Sequence, residues 1–169
     1  GTLSGPRTAG TIDLARGAWS GYRDLGGHAS VSLADAAVSA DGRVTVAGEE
    51  AVRFQGSLAP ALERVTTPQG LRRAALRAEV IVLPIALGRT GPADVALGGT
   101  FTGRLAASGT PGAPEVTLLL EGEGVAVAGR PLGRARLEAS YARAHAAAAF
   151  TLSPTSGGAL RGTLAVEAD

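Results

Sequence analysis

The stretch GTFTGRLAASGTPGAPEVTLLLEG, residues 99–122, decides the fold. It holds two runs of alternating apolar and polar residues joined by the Gly- and Pro-rich loop GTPGAP. Phe101, Gly103, Leu105 and Ala107 fall to one side, against Thr100, Thr102, Arg104 and Ser108. After the loop, Val116, Leu118 and Leu120 share a face opposite Glu115, Thr117, Leu119 and Glu121. A period of two is the spacing of a strand with one wet face and one dry face.

The same period returns along the chain after almost every Gly or Pro cluster. Val125 and Val127 continue it, then Leu137, Ala139 and Tyr141 against Arg134, Arg136 and Glu138, then Phe150 and Leu152. In the first half, ASVSLADAAVSA and RVTVAGE flank Asp41-Gly42, a dipeptide that favours a tight hairpin turn. AVRFQGSL follows, with Val52 and Phe54 inward. About a dozen strands are expected. For LRRAALRAEV, residues 71–80, two readings stand: a short helix, or an irregular connection into the strand EVIVLPIAL. Ala144 to Ala149 has helical propensity, but it lies between two strand signals and is read as strand.

Composition narrows the architecture. Aromatic residues make up 4% of the chain, so apolar area must come from Val, Leu and Ala. Small residues at inward positions suit a curved sheet with an open face better than a tightly packed sandwich. The expectation is an all-β fold: an elongated, curved or rolled β-sheet with an apolar concave face, a short helix near residues 71–80 being one of the two readings of that stretch. GTLSG, GTFTG and RGTLAVEA look like one element recurring. The organisation expected is a single β-rich segment, 1–169, with loosely repeated units 1–60 and 93–169 joined by 61–92. The chain opens without Met and closes within a strand pattern, so a segment of a longer protein is expected.

Charge and chemistry exclude more than they suggest. Sixteen Arg and no Lys stand against fifteen acidic residues, a formal net charge of +1, and the arginines are scattered. A nucleic-acid groove needs a concentrated basic face, so no nucleic-acid partner is expected. There is no Cys for disulfides or thiolate zinc sites. Ala78 to Leu87, AEVIVLPIAL, is too short to span a bilayer.

His28 has Asp24, Ser30 and Asp35 nearby in sequence, but GGHAS reads more simply as a turn entering a strand. His145 reads as a solvent-facing strand residue. GAWSG places Ser20 fourth, not third as a nucleophile elbow requires, and Gly122 and Gly124 meet Val127 where a dinucleotide fingerprint needs Gly. Glu49 and Glu50 point to opposite faces of a strand, and Glu121 and Glu123 lie around an expected turn, so neither makes a glycosidase pair. No catalytic residue, metal ligand or cofactor site is assigned.

What remains is an apolar stripe: Val44, Val46, Phe54, Phe101, Leu105, Val116, Leu118, Leu120, Val125, Val127, Leu137, Phe150, Leu152 and Leu164. It is either an ordinary β core or the lining of a continuous apolar groove.

Residues 99–141, GTFTGRLAASGTPGAPEVTLLLEGEGVAVAGRPLGRARLEASY, resemble the recurring unit of the TamB and AsmA-like family. Gly109, Pro111 and Pro114 match its loop, and Leu132-Gly133, Leu137, Ala139 and Tyr141 match its later strand. The segment ALRAEVIVLPIALGRTGPADVALGGTFTG resembles what precedes such a unit. The resemblance covers residues 71–168, and the first 60 only in general style.

The resemblance implies a periplasmic, bridge-like lipid-transfer segment of a diderm bacterium. Its fold would be a rolled sheet shaped like a taco shell. In that family the full-length protein has an N-terminal inner-membrane anchor, which would lie outside this segment. It works with an outer-membrane β-barrel protein of the Omp85 type in outer-membrane biogenesis and protein secretion. The implied partners here are phospholipid acyl chains held in the groove, with no bond made or broken. Two alternatives remain open: a structural or adhesive β-solenoid of the autotransporter kind without lipid cargo, and an enzyme on a β scaffold.

Overall fold

The computed structural model describes residues 7–19, 22–34, 37–59, 68–86 and 97–167. They form one ten-stranded antiparallel sheet in which every strand pairs with its sequence neighbours. The strands are β1 (Thr8–Trp19), β2 (Tyr22–Ala34), β3 (Ala37–Val46), β4 (Glu49–Ala59), β5 (Ala75–Ala86), β6 (Leu97–Thr110), β7 (Ala113–Val127), β8 (Arg130–Ala142), β9 (His145–Ser153) and β10 (Leu160–Glu167). One helical turn, α1 (Pro68–Arg72), precedes β5. The sheet does not close into a barrel.

Six of the nine connections between successive strands span two residues, which leaves those strands no choice but to pair. Ala47-Gly48 (φ 52° and 85°), Ala128-Gly129 (φ 49° and 75°) and Arg143-Ala144 (φ 50° and 65°) each place two residues at positive φ between paired strands. That is the geometry of the two-residue hairpin turn whose twist matches the flanking strands. Pro111-Gly112 joins β6 to β7, with Thr110 paired to Ala113. Only these two residues of GTPGAP leave the ladder. Pro84 sits in β5 at a register shift between Val82 and Ile85, and the pairing of β4 with β5 ends at Val52 and Val82. A residue without an amide proton is tolerated there.

Several local expectations change. The helical turn lies at Pro68–Arg72, and residues 71–80, for which a short helix and an irregular connection both stood open, become strand from Ala75. Val80 and Val82 alternate with Glu79 and Ile81 in that strand, and the two ladders on either side hold it extended. Asp41-Gly42 is no turn; it lies mid-strand in β3, with Gly42 opposite Ala29 and Phe54. A Cβ on Gly42 would stand 2.5 Å from both Phe54 Cζ and the His28 carbonyl oxygen, so glycine is required by packing. GGHAS likewise runs inside β2. Residues 121–124, EGEG, form an irregularity within the fifteen-residue β7 and not a turn, with register shifts on both sides.

No large side chain is fully buried among the described residues. The buried apolar positions there are Ala51, Ala74 and Val125. The fold is a single layer in this chain, and its two faces carry different chemistry.

Candidate functional site: an open apolar sheet face

Residues paired across antiparallel strands share a face, so the register sorts every side chain. Leu118 pairs with Leu105, which pairs with Val80, then Phe54, Gly42, Ala29 and Ile12; on its other side come Ala139, Ala148 and Leu164. The rows through Val116 and through Leu120 run across all ten strands in the same way. These three rows hold thirty positions, and Tyr141 is the one polar side chain among them.

The opposite face is polar. The two rows through Thr117 and Leu119 carry Thr11, Ser30, Asp41, Gln55 and Glu79, and Asp13, His28, Arg43, Arg53, Arg104 and Glu138. Their groups bond across strands. Ser30 Oγ donates to Asp41 (3.0 Å), Gln55 Nε2 donates to Glu79 (2.9 Å), and Arg104 also reaches Glu79 (2.6 Å). Arg136 lies between Glu138 (2.6 Å) and Glu121; its hydrogen bond to Glu138 first, and then the charges of both carboxylates, raise its pKa above the ordinary guanidinium value.

The apolar residues singled out in the sequence lie together. Val44, Leu120, Leu137 and Phe150 share one row; Phe54, Leu105, Leu118 and Leu164 share the next; Val116 lies in the third. Val46 pairs with Leu25 on the same side of β3 as Val44. Phe101 pairs with Ile85 and Gly122, and Leu152 with Ala135 and Leu160, one row further along. Val125 pairs with Gly133 beyond the β7 irregularity and is 6% exposed. Val127 pairs with Leu97 at the strand end.

Sequence reading missed three members, two of which, Gly42 and Gly122, stood in stretches read as turns. Gly42, Gly122 and Gly162 each sit opposite one of the chain's three phenylalanines, Phe54, Phe101 and Phe150. A Cβ on Gly122 would meet the Phe101 ring at 2.8 Å, and one on Gly162 would run into the Phe150 ring. The rings therefore lie across their neighbours, close to the sheet, as aromatics do beside strand glycines.

The face is open. Ile12, Leu14, Phe150, Leu160, Leu164 and Val166 are all exposed, most strongly Ile12 at 67% and Leu164 at 64%. Over β6–β10 a groove of about 310 Å3 is lined by Leu105, Val116, Leu118, Tyr141, Leu164 and Val166. A wider hollow of about 880 Å3 lies on the polar face, floored by Ala106, Ala147, Ala149 and Ala165. Hollows on both faces are what a twisted sheet produces. The polar hollow is bordered by Arg104, Arg136 and Glu138, whose charges are already paired with one another or with Glu79 and Glu121.

Three rows across ten strands cover on the order of 900 Å2, given about 4.8 Å between strands and about 6.7 Å between same-face residues. The largest apolar patch on an ordinary monomer is about 300–600 Å2. The chain exposes 11909 Å2, where a compact protein of 16.7 kDa exposes about 7,600 Å2.

The polar groups weighed for catalysis assemble differently from their sequence spacing. His28 Nδ1 stands 2.7 Å from Asp13 Oδ1 across β1 and β2, a partner fifteen residues away that local inspection misses. Ser30 is engaged by Asp41, and Asp24 gives its carbonyl to the Ala47 amide at 3.1 Å. His145 lies 3.4 Å from Glu167. Glu50 pairs with Arg53, and Glu121 and Glu123 with Arg136 and Arg134. Ser20 and Asp35 lie outside the described residues. Among the described residues, no group of three His, Asp or Glu is placed to hold a metal ion, and no helix is long and apolar enough to cross a membrane.

No family model, curated protein or solved structure matches this chain.

Proposed function

We propose that this sheet is a segment of a bridge-like lipid-transfer protein, with phospholipid acyl chains lying on its apolar face and head groups in water. The observation that carries this reading is the set of thirty same-face positions with a single polar group. A protein partner would leave a different mark. Protein interfaces carry about one hydrogen bond per 100–200 Å2. A face of this size would then present roughly five to nine polar contacts. One Tyr hydroxyl falls far short of that, whereas acyl chains require none. Each methylene removed from water contributes about 0.8 kcal/mol.

The resemblance of residues 71–168 to the TamB and AsmA-like family supports the same reading and extends it. It implies a periplasmic location in a diderm bacterium. There the full-length chain would be anchored in the inner membrane and meet an outer-membrane β-barrel protein of the Omp85 type, serving outer-membrane biogenesis. No bond is made or broken in this role.

The test places a photo-crosslinking residue at Leu118 in one sample and at Thr117 in the other, followed by native mass spectrometry. Leu118 and Thr117 are adjacent in β7 and face opposite sides. Lipid adducts at Leu118 alone are expected. Labelling at neither position would leave the face to a permanent protein cover and favour the structural β module.

A further inference from the structure

One part of the apolar face is built differently from the rest. Ala139 on β8 and Ala146 and Ala148 on β9 are short and half-buried, and they form the floor of the groove of about 310 Å3. Its walls are Val116 and Leu118 on β7 and Leu164 and Val166 on β10, which the register places in the same two rows as the floor. In the next row inward Leu120, Leu137 and Phe150 stand side by side, so the trough has a closed inner end.

The outer end carries a polar group. Tyr141 stands there on β8, paired with Val116 and Ala146, and the strand finishes one residue later at the Arg143-Ala144 turn. Among the described residues no group hydrogen-bonds its hydroxyl, and the side chain is 38% exposed. Tyrosine suits a place where the ring meets apolar surface and the hydroxyl meets water. The single polar side chain of the three apolar rows thus lies at the mouth of the groove on that face. A peptide brings an amide donor and acceptor at every residue and would find one partner here. A ligand matched to this trough is apolar along its length and carries its oxygen acceptors at one end, where a tyrosine hydroxyl can donate to them. The volume lies at the small end of the roughly 300–1,000 Å3 of small-molecule sites, which suits one chain.

We propose that this trough is a resting position for one acyl chain, whose carbonyl or carboxyl oxygen accepts a hydrogen bond from Tyr141 while the chain lies over Ala139 and Ala148. The proposal rests on the acyl-chain reading and adds to it a place on the face where cargo pauses. Whatever follows the carbonyl, the charge of a free acid or the head group of a phospholipid, hangs past the β8–β9 turn in water. One neutral hydrogen bond is a weak hold, so a chain bound this way still leaves.

The experiment is fluorescence titration of the 169-residue chain with cis-parinaric acid, with a phosphatidylcholine carrying one cis-parinaroyl chain, and with diphenylhexatriene, an apolar rod without oxygen. Tyr141→Phe keeps the ring and removes the hydroxyl. Ala148→Leu fills the trough, and Ala40→Leu adds the same bulk on the same face over β3, in the row of Val116. The parent chain should bind one equivalent of the parinaroyl probes more tightly than the rest of the face does. Tyr141→Phe should weaken that equivalent about five-fold, the usual net contribution of one neutral hydrogen bond, and leave diphenylhexatriene unchanged. Ala148→Leu should remove the tight equivalent, and Ala40→Leu should keep it. Weakening with both parinaroyl probes assigns the site to an acyl carbonyl in general, and weakening with one alone assigns it to that lipid. If Tyr141→Phe binds both as tightly as the parent, or loses diphenylhexatriene equally, the resting position is overturned and the acyl-chain reading stands. Binding of no probe by the parent chain sinks that reading and the resting position with it.

Discussion

Replacing Gly42 by Ala should destabilise the sheet by about 2–3 kcal/mol, although the same change at Gly10 on the same face should not. A Cβ at Gly42 meets Phe54 Cζ at 2.5 Å, Phe54 Cε1 at 2.9 Å and the His28 carbonyl oxygen at 2.5 Å. The ring can swing away, but it then gives up its contact with β3, about 1 kcal/mol for a half-buried aromatic. The His28 oxygen belongs to the backbone of the paired strand and cannot move alone, which adds roughly 1–2 kcal/mol of overpacking strain. Gly10 occupies the row through Val116, has nothing within 4 Å of an added Cβ, and does not lie at positive φ. There Ala restricts the unfolded chain and should stabilise by about 0.4–1 kcal/mol. For a chain of this length each kcal/mol shifts Tm by about 2–4 °C. A thermal melt followed by far-UV circular dichroism should show Gly42→Ala falling by roughly 4–12 °C and Gly10→Ala unchanged or higher. If Gly42→Ala melts no lower than Gly10→Ala, the placement of the Phe54 ring over β3 is wrong.

Arg143 and Ala144 both sit at positive φ (50° and 65°) without a glycine between them. Ala144→Gly should therefore raise stability by about 1 kcal/mol in the same melt, since a side chain in that region costs roughly 1–2 kcal/mol. A Cβ on Gly112 would lie 3.0 Å from the Arg72 carbonyl oxygen, so Gly112→Val should push α1 off the β6–β7 turn. Limited trypsin digestion should then cut after Arg72 or Arg73 much faster than in the parent chain. Leu118→Asp should abolish lipid adducts in native mass spectrometry while Thr117→Asp retains them. Leu118 is only half-buried with no layer over it, so its carboxylate can reach water. The Tm loss should be modest, in keeping with a surface substitution, and outright unfolding would mean a sealed core.

The architecture was legible where the period of two is uninterrupted. Phe101 to Ala107 and Val116 to Leu120 alternate in the sequence, and the register puts each set on one face. Glycine made the rest hard to read. In Asp41-Gly42 and EGEG it suggests a turn through its backbone freedom, but Gly42 and Gly122 are there to make room for Phe54 and Phe101, contacts set by the neighbouring strand. Conversely, Arg143-Ala144 forms a hairpin turn with no turn residue to announce it. Among the described residues ten strands replace about a dozen, since β3 runs through Asp41-Gly42 and β7 through its irregularity.

The pairing of large residues with glycine also bears on what the apolar face can do. Phe54 lies over Gly42, Phe101 over Gly122 and Phe150 over Gly162, and Leu120 closes on Gly103, where an added Cβ would meet its Cδ1 at 3.1 Å. Each bulky side chain is laid across a gap left by its neighbour, so the surface is levelled instead of being thrown into knobs and pits. Dispersion contacts are individually small, about 0.1–0.2 kcal/mol per atom pair, and a level surface supplies them at nearly equal strength everywhere. A chain-like ligand moving along such a face exchanges one set of contacts for an equivalent set, with no hydrogen bond to break apart from any made to Tyr141. Filling the glycines with Ala or Val would roughen the face before it changed its hydrophobicity. Movement along the sheet should therefore be more sensitive to Gly103 and Gly162 than to conservative swaps among its Leu and Val.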